Sequence, residues 1–145
     1  MPRAYRLGPA RRVLNSIMTV LLGWGIGPGS SYLLTTTGRT TGRRRTTPVT
    51  LVEDGGHRWL VSPYGQVGWV HNVRATPSVS VRRGRTTEQL AVREVDAETA
   101  GPVLRRYVGQ VPVTAPFFAA APGDPVETFV AEASRHPVFA LSASR

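Results

Sequence analysis

Four arginines fall within seven residues, Arg39 to Arg45, in the stretch Gly38-Arg39-Thr40-Thr41-Gly42-Arg43-Arg44-Arg45. Guanidinium groups this close repel one another on a bare loop. Each also presents a planar fork of N–H donors that matches phosphate or carboxylate. Gly38 and Gly42 tolerate positive φ and leave backbone N–H groups uncovered. Thr40 and Thr41 add small hydroxyl donors. The combination suits a ligand carrying several negative charges. Two blander readings stay open, a basic turn that only faces water and a nucleic-acid contact.

A loop of this kind has to be held by strands. Tyr32–Thr37 and Thr46–Val52 are both β-prone, so residues 31–54 read as a hairpin with the glycine-punctuated loop at its tip. Asp54-Gly55-Gly56 marks a second tight turn. His57–Ser62 is the third strand, stopped by Pro63-Tyr64-Gly65. Gln66–Ala75 reads as a short helix with Val67, Val70 and Val73 on one side. Ser78–Arg82 and Thr86–Glu94, joined at Arg83-Gly84, are the fourth and fifth strands.

Asp96 is placed to cap a helix over Ala97–Tyr107. Val111–Pro116 reads as extended and limited by its prolines. Neighbours on an extended segment alternate faces, so one of Phe117 and Phe118 is expected to line an apolar pocket. Asp124 as cap and Pro125 at the first position open a helix over Val126–Ser134. His136–Leu141 closes the chain as a strand. Five or six short strands with helices at the start, middle and end describe a small antiparallel barrel with helices outside, a mainly β (α+β) fold.

The composition bounds the rest. At 145 residues and 41% hydrophobic content, the chain supports a core of its own. Its net charge of +9 comes from 18 arginines and no lysine, and favours an anionic partner. The absence of cysteine excludes disulfides, thiolate metal sites and cysteine nucleophiles. His57, His71 and His136 lack ligand spacing, so no metal site is expected. Neither a Gly-x-Gly-x-x-Gly fingerprint nor a phosphate-loop lysine is present. The aromatic residues form no ladder interleaved with arginine, so no nucleic acid is expected as partner.

Residues 1–30 form a distinct N-terminal part. Arg3, Arg6, Arg11 and Arg12 precede Val13–Leu22, whose Leu14, Ile17, Met18 and Leu21 fall at helical spacing. This basic amphipathic helix is too short and polar to span a bilayer. It suits either an anionic membrane surface or packing on its own domain. No small-x-small cleavage site follows Leu22, so export is not expected. Gly23–Gly29 is a glycine-rich break, and residues 31–145 are expected to be one cofactor-binding domain.

At this level the sequence resembles a family. Leu33-Leu34-Thr35-Thr36-Thr37-Gly38-Arg39-x-Thr41-Gly42-x-x-Arg45-x-x-Pro48-Val49, then Ser62-Pro63-Tyr64-Gly65 and Trp69-x-x-Asn72, are similar to the deazaflavin-dependent nitroreductase and quinone reductase family. The resemblance is strong from about Ser31 to Arg83. It implies a split antiparallel β-barrel that binds coenzyme F420. This 5-deazaflavin carries a phosphate, a lactyl group and an oligoglutamate tail, the anionic class the arginine loop points to on its own. The implied activity is hydride transfer from the reduced cofactor to a hydrophobic acceptor such as a quinone or nitro compound. An FMN-binding barrel and a non-catalytic carrier of cofactor or lipid are the alternatives.

By resemblance, Arg39 and Arg45 hold the tail and phosphate. Thr40 stands where many relatives have lysine, and Arg43 or Arg44 could stand in for it, with Thr41 and Gly42 completing the loop. Pro48 and Val49 lie under the ring. Ser62, Pro63, Tyr64 and Gly65 run along its edge, and Trp69 and Asn72 close the site. The acceptor-pocket candidates are Tyr64, Trp69, Phe117 and Phe118, while Tyr107 is expected to face the core. A cytoplasmic location, with peripheral contact at the inner face of the membrane as a further option, and a homodimer complete the expectations.

Overall fold

The computed structural model describes residues 31–143. The expected N-terminal helix and glycine-rich break, and with them the membrane contact, lie outside the described residues. Six strands close into a barrel: β1 (Ser31–Thr37), β2 (Arg44–Asp54), β3 (His57–Val61), β4 (Ser78–Arg83), β5 (Thr86–Glu94) and β6 (Val138–Ala143). Their order around the barrel is β1-β2-β3-β6-β5-β4, with every neighbouring pair antiparallel.

Two tight turns follow from glycine. Asp54 pairs with His57 across Gly55 and Gly56, whose φ values of 57° and 82° make the mirror-image turn that matches strand twist. Arg83 pairs with Thr86, and Gly84 supplies the positive φ of 60° there.

Period-two alternation gives the barrel two apolar faces. Leu34, Leu51, Leu60, Val79, Val81, Leu90, Val92 and Phe139 fill the interior, joined by Val70 and Val73 from helix α1 (Gly68–Ala75). Their neighbours Val52, Val61 and Val138 point outward and pack under α2 (Ala97–Gln110) and α3 (Val126–Ala131). Gly101 lets the two helices meet, because a Cβ there would lie 2.4 Å from Val130 Cγ2. Asp96 caps α2 as expected, its carboxylate accepting from the Thr99 N–H at 2.9 Å.

Four expectations change. Val111–Pro116 is not extended: Pro112–Phe117 is a 3₁₀ helix. Proline's fixed φ near −65° serves an extended chain and a tight helix equally well. The outcome is set by i+3 bonds, from the Thr114 N–H to Val111 O at 3.0 Å and the Phe118 N–H to Ala115 O at 3.0 Å. Asp124 does not cap α3, because its carboxylate accepts from the Ala121 N–H at 2.8 Å and so closes the preceding turn. α3 ends at Ala131 and continues as a 3₁₀ turn, Ala133–Arg135, where the Glu132 side chain turns inward. β6 begins at Val138, leaving His136 buried ahead of the strand.

Candidate active site

The loop between β1 and β2 folds on itself. The Gly38 N–H donates to Arg43 O at 2.7 Å, the Gly42 N–H to Gly38 O at 2.9 Å, and the Arg43 N–H to Thr41 Oγ1 at 3.2 Å. Gly42 takes a φ of 70°, and a Cβ on Gly38 would sit 2.9 Å from Arg43 O. Both positions need glycine, for conformation and for space respectively.

α1 anchors this loop from the other side. Val70 and Val73 plug the barrel interior, which turns Asn72 toward the end of β1. The Asn72 amide donates to Thr36 Oγ1 at 3.1 Å. Its oxygen accepts from the Arg39 backbone N–H at 3.2 Å and from Arg39 Nη1 at 3.1 Å. Arg39 Nη1 also reaches Gly68 O at 3.5 Å. Arg39 is thus pinned at one edge while its guanidinium stays exposed. Buried Asn72 orients the arginine.

A groove of about 450 Å³ opens between loop and helix, lined by Gly38, Arg39, Thr40, Thr41, Arg45, Gly68, Trp69 and Asn72 together with Thr36, Thr46 and Thr47. No side chain caps α1 at its N-terminus. Gly68 and Trp69, at the start of α1, line a groove that also holds the Arg39 and Arg45 guanidinium groups, a combination that attracts anions. Arg43, Arg44 and Arg45 have no counter-ion among the described residues. Elsewhere Arg58, Arg74 and Arg106 meet carboxylates. Arg58 grips Glu88 through two bonds of 3.0 and 2.8 Å and holds that carboxyl below the usual carboxylate range. Arg74 grips Glu94 the same way. Two arginines, Arg39 and Arg45, line the groove itself.

The remaining site candidates are arranged around it. Gly42 and Arg43 on the loop and Arg44 at the start of β2 lie outside the groove lining, and Pro48 and Val49 sit half-buried on β2 opposite Leu33 and Tyr32. Ser62 and Pro63 are buried, and Gly65 takes a φ of 89° in the turn leading to α1. Tyr64 meets Phe117 edge-on, ring centroids 4.9 Å apart. Phe118 faces the other way, 6% exposed and packed on Phe129 and His136. Phe117 is partly buried against the same core cluster while also meeting Tyr64; the alternation expected of an extended segment does not apply, since Phe117 ends a 3₁₀ helix. Tyr107 is buried in the α2 core, and burial together with nearby Tyr64 raises its phenol far above the usual range. Sequence reasoning did not name Thr36, Gly38, Thr46, Thr47 and Gly68 as site residues. The glycine punctuation marked Gly38 and the β-prone runs held the threonines, but nothing local marked Gly68.

Residues 17–119 match the family of F420H(2)-dependent quinone reductases. Among solved structures, the chain is similar to an F420-H2 dependent reductase, FDR-A, at 27% identity and a TM-score of 0.54, covering 79% of this chain and 95% of that one. A structure described as a domain-swapped dimer aligns at 22% identity and a TM-score of 0.58, over 93% and 100% of the two chains. A putative pyridoxamine 5′-phosphate oxidase from Listeria innocua shares the fold at 13% identity and a TM-score of 0.56, over 91% and 94%. No curated protein matches the chain at a significant level. With the match spanning most of the sequence and the barrel and groove in place, the chain belongs to the F420H(2)-dependent quinone reductase family.

Proposed function

We propose that the groove binds the anionic tail and phosphate of reduced coenzyme F420 and that the chain reduces a flat apolar acceptor of the quinone class. The observation that carries this reading is the clamped Arg39 facing Arg45 across an uncapped helix N-terminus. The residues fit the group in chemistry: guanidinium forks, backbone N–H donors and threonine hydroxyls converge, and no carboxylate lines the groove. When bound, the deazaflavin supplies a hydride. The protein's own task is positioning, exclusion of water and stabilisation of charge.

Arg39 and Arg45 hold anionic groups, and Asn72 keeps Arg39 aimed. Tyr64 and Phe117 form an apolar edge beyond the turn that leads into α1, suited to a planar acceptor. Negative charge developing on an acceptor oxygen is met by backbone N–H groups or the Tyr64 hydroxyl. No essential general base is required, since solvent delivers the proton.

Fluorescence titration with deazaflavin and FMN, followed by turnover of menadione with the reduced deazaflavin, tests the reading. Tighter binding of FMN than of deazaflavin would overturn it, and tight deazaflavin binding without turnover would mark a carrier. The neighbour described as a domain-swapped dimer supports a homodimer here as well, which light scattering checks.

A further inference from the structure

Glu132 and His136 are 4% and 3% exposed, and neither lines the groove. Two ionisable groups are costly to bury unless every polar atom finds a partner. Here each one does. Glu132 Oε1 lies 2.7 Å from His136 Nε2 and accepts from the Ala119 N–H at 3.1 Å. Oε2 accepts from the Ala120 N–H at 2.7 Å. His136 Nδ1 lies 2.9 Å from Pro63 O. A carbonyl only accepts, so Nδ1 carries a proton and donates it.

The pair joins two segments far apart in sequence. The imidazole face stacks on Phe118, centroids 3.9 Å apart and planes 20° from parallel. Its edge holds the turn Ser62–Gly65. The anchors of that turn converge on the same short stretch: the Ser62 N–H donates to Pro137 O at 2.9 Å, and Gln66 Nε2 to Ser134 O at 3.3 Å. A Cβ on Gly65 would stand 3.3 Å from Arg135 O. Two residues carry the visible consequence, Tyr64 from the turn and Phe117 beside Phe118, in edge-to-face contact.

We propose that His136, braced by Glu132, is a positioning residue that sets Tyr64 against Phe117 and so fixes the apolar edge offered to the acceptor. An aliphatic pair could fill the same volume, but it could not direct the Pro63 carbonyl or tether the Ala119 and Ala120 amides. The assignment rests on the reading of Tyr64 and Phe117 as the acceptor side. The variants H136N and H136Q separate the two ring nitrogens, since the asparagine amide reaches the place of Nδ1 and the glutamine amide that of Nε2. In ligand-free protein, H136Q is expected to speed amide exchange at residues 62–66 by about tenfold, while H136N keeps it within about threefold.

With deazaflavin and menadione, H136Q raises KM for menadione by about fivefold or more and leaves the deazaflavin Kd within about twofold. Equal exchange and equal KM in H136N and H136Q overturn the proposal. If H136Q does not fold, H136N decides alone: a tenfold rise in exchange at residues 62–66 with the Pro63 partner retained overturns it. Failure of wild-type protein to turn over menadione strikes the acceptor reading instead, and the exchange result still judges the positioning role.

Discussion

Asn72→Leu removes three hydrogen bonds at nearly constant volume. Thr36 Oγ1, in a residue 3% exposed, loses its donor, and the Arg39 N–H loses its acceptor. Each neutral bond contributes ~1 kcal/mol, and stranding its buried partner costs ~1–3 kcal/mol. The third bond, from the exposed guanidinium, is largely replaced by water and adds little. The expected loss is therefore about 2–3 kcal/mol, which for a domain of this size lowers Tm by about 6–12 °C. Arg39, no longer pinned, also loses its aim, and deazaflavin affinity falls about tenfold.

Arg39→Ala has the opposite profile. Its side chain is exposed and Asn72 keeps its bonds to Thr36 and to the residue-39 backbone, so Tm moves by less than about 3 °C. The direct charge contact is gone, and affinity drops about 10–100-fold. Scanning calorimetry beside fluorescence titration measures both. If N72L melts with the wild-type protein, or if R39A is destabilised as much as N72L, Asn72 is not the structural bracket for the loop.

Three further outcomes are expected. Arg45→Ala weakens intact deazaflavin about 10–100-fold but barely changes binding of a tail-less deazaflavin fragment, and isothermal titration with both ligands shows whether Arg45 meets the tail. Phe118→Ala, which opens a cavity among Phe129, His136 and α2, costs about 3–5 kcal/mol in urea unfolding, whereas Phe117→Ala, at a partly buried ring, costs less and acts on the menadione KM. Arg58 depresses the Glu88 carboxyl below its ordinary value of 4.5, so this pair stabilises the fold at neutral pH and its contribution is lost as pH falls through the lowered value. The Tm gap between wild type and Glu88→Gln should accordingly be present at pH 7 and close in acid; a gap that widens in acid refutes the sign.

The barrel was legible in the sequence because strands and hairpins write themselves locally. Alternation at Leu51-Val52, Leu60-Val61 and Val138-Phe139 sorts interior from exterior, and Asp54-Gly55-Gly56 demands its turn whatever surrounds it. The anionic preference of the Arg39–Arg45 loop was likewise a matter of composition. Which arginines line the groove was not: α1 packing beside β1 and holding the loop through Asn72 places Arg39 and Arg45 in the groove lining and leaves Arg43 and Arg44 outside it. Val111–Pro116 misled because proline restricts φ and not ψ, and ψ was settled by carbonyls within the folded turn. Arg39 meets Asn72 across 33 residues, and His136 meets Pro63 across 73. Residue type announces that such polar groups need partners once buried, but only the closure of the barrel decides which partners come within reach.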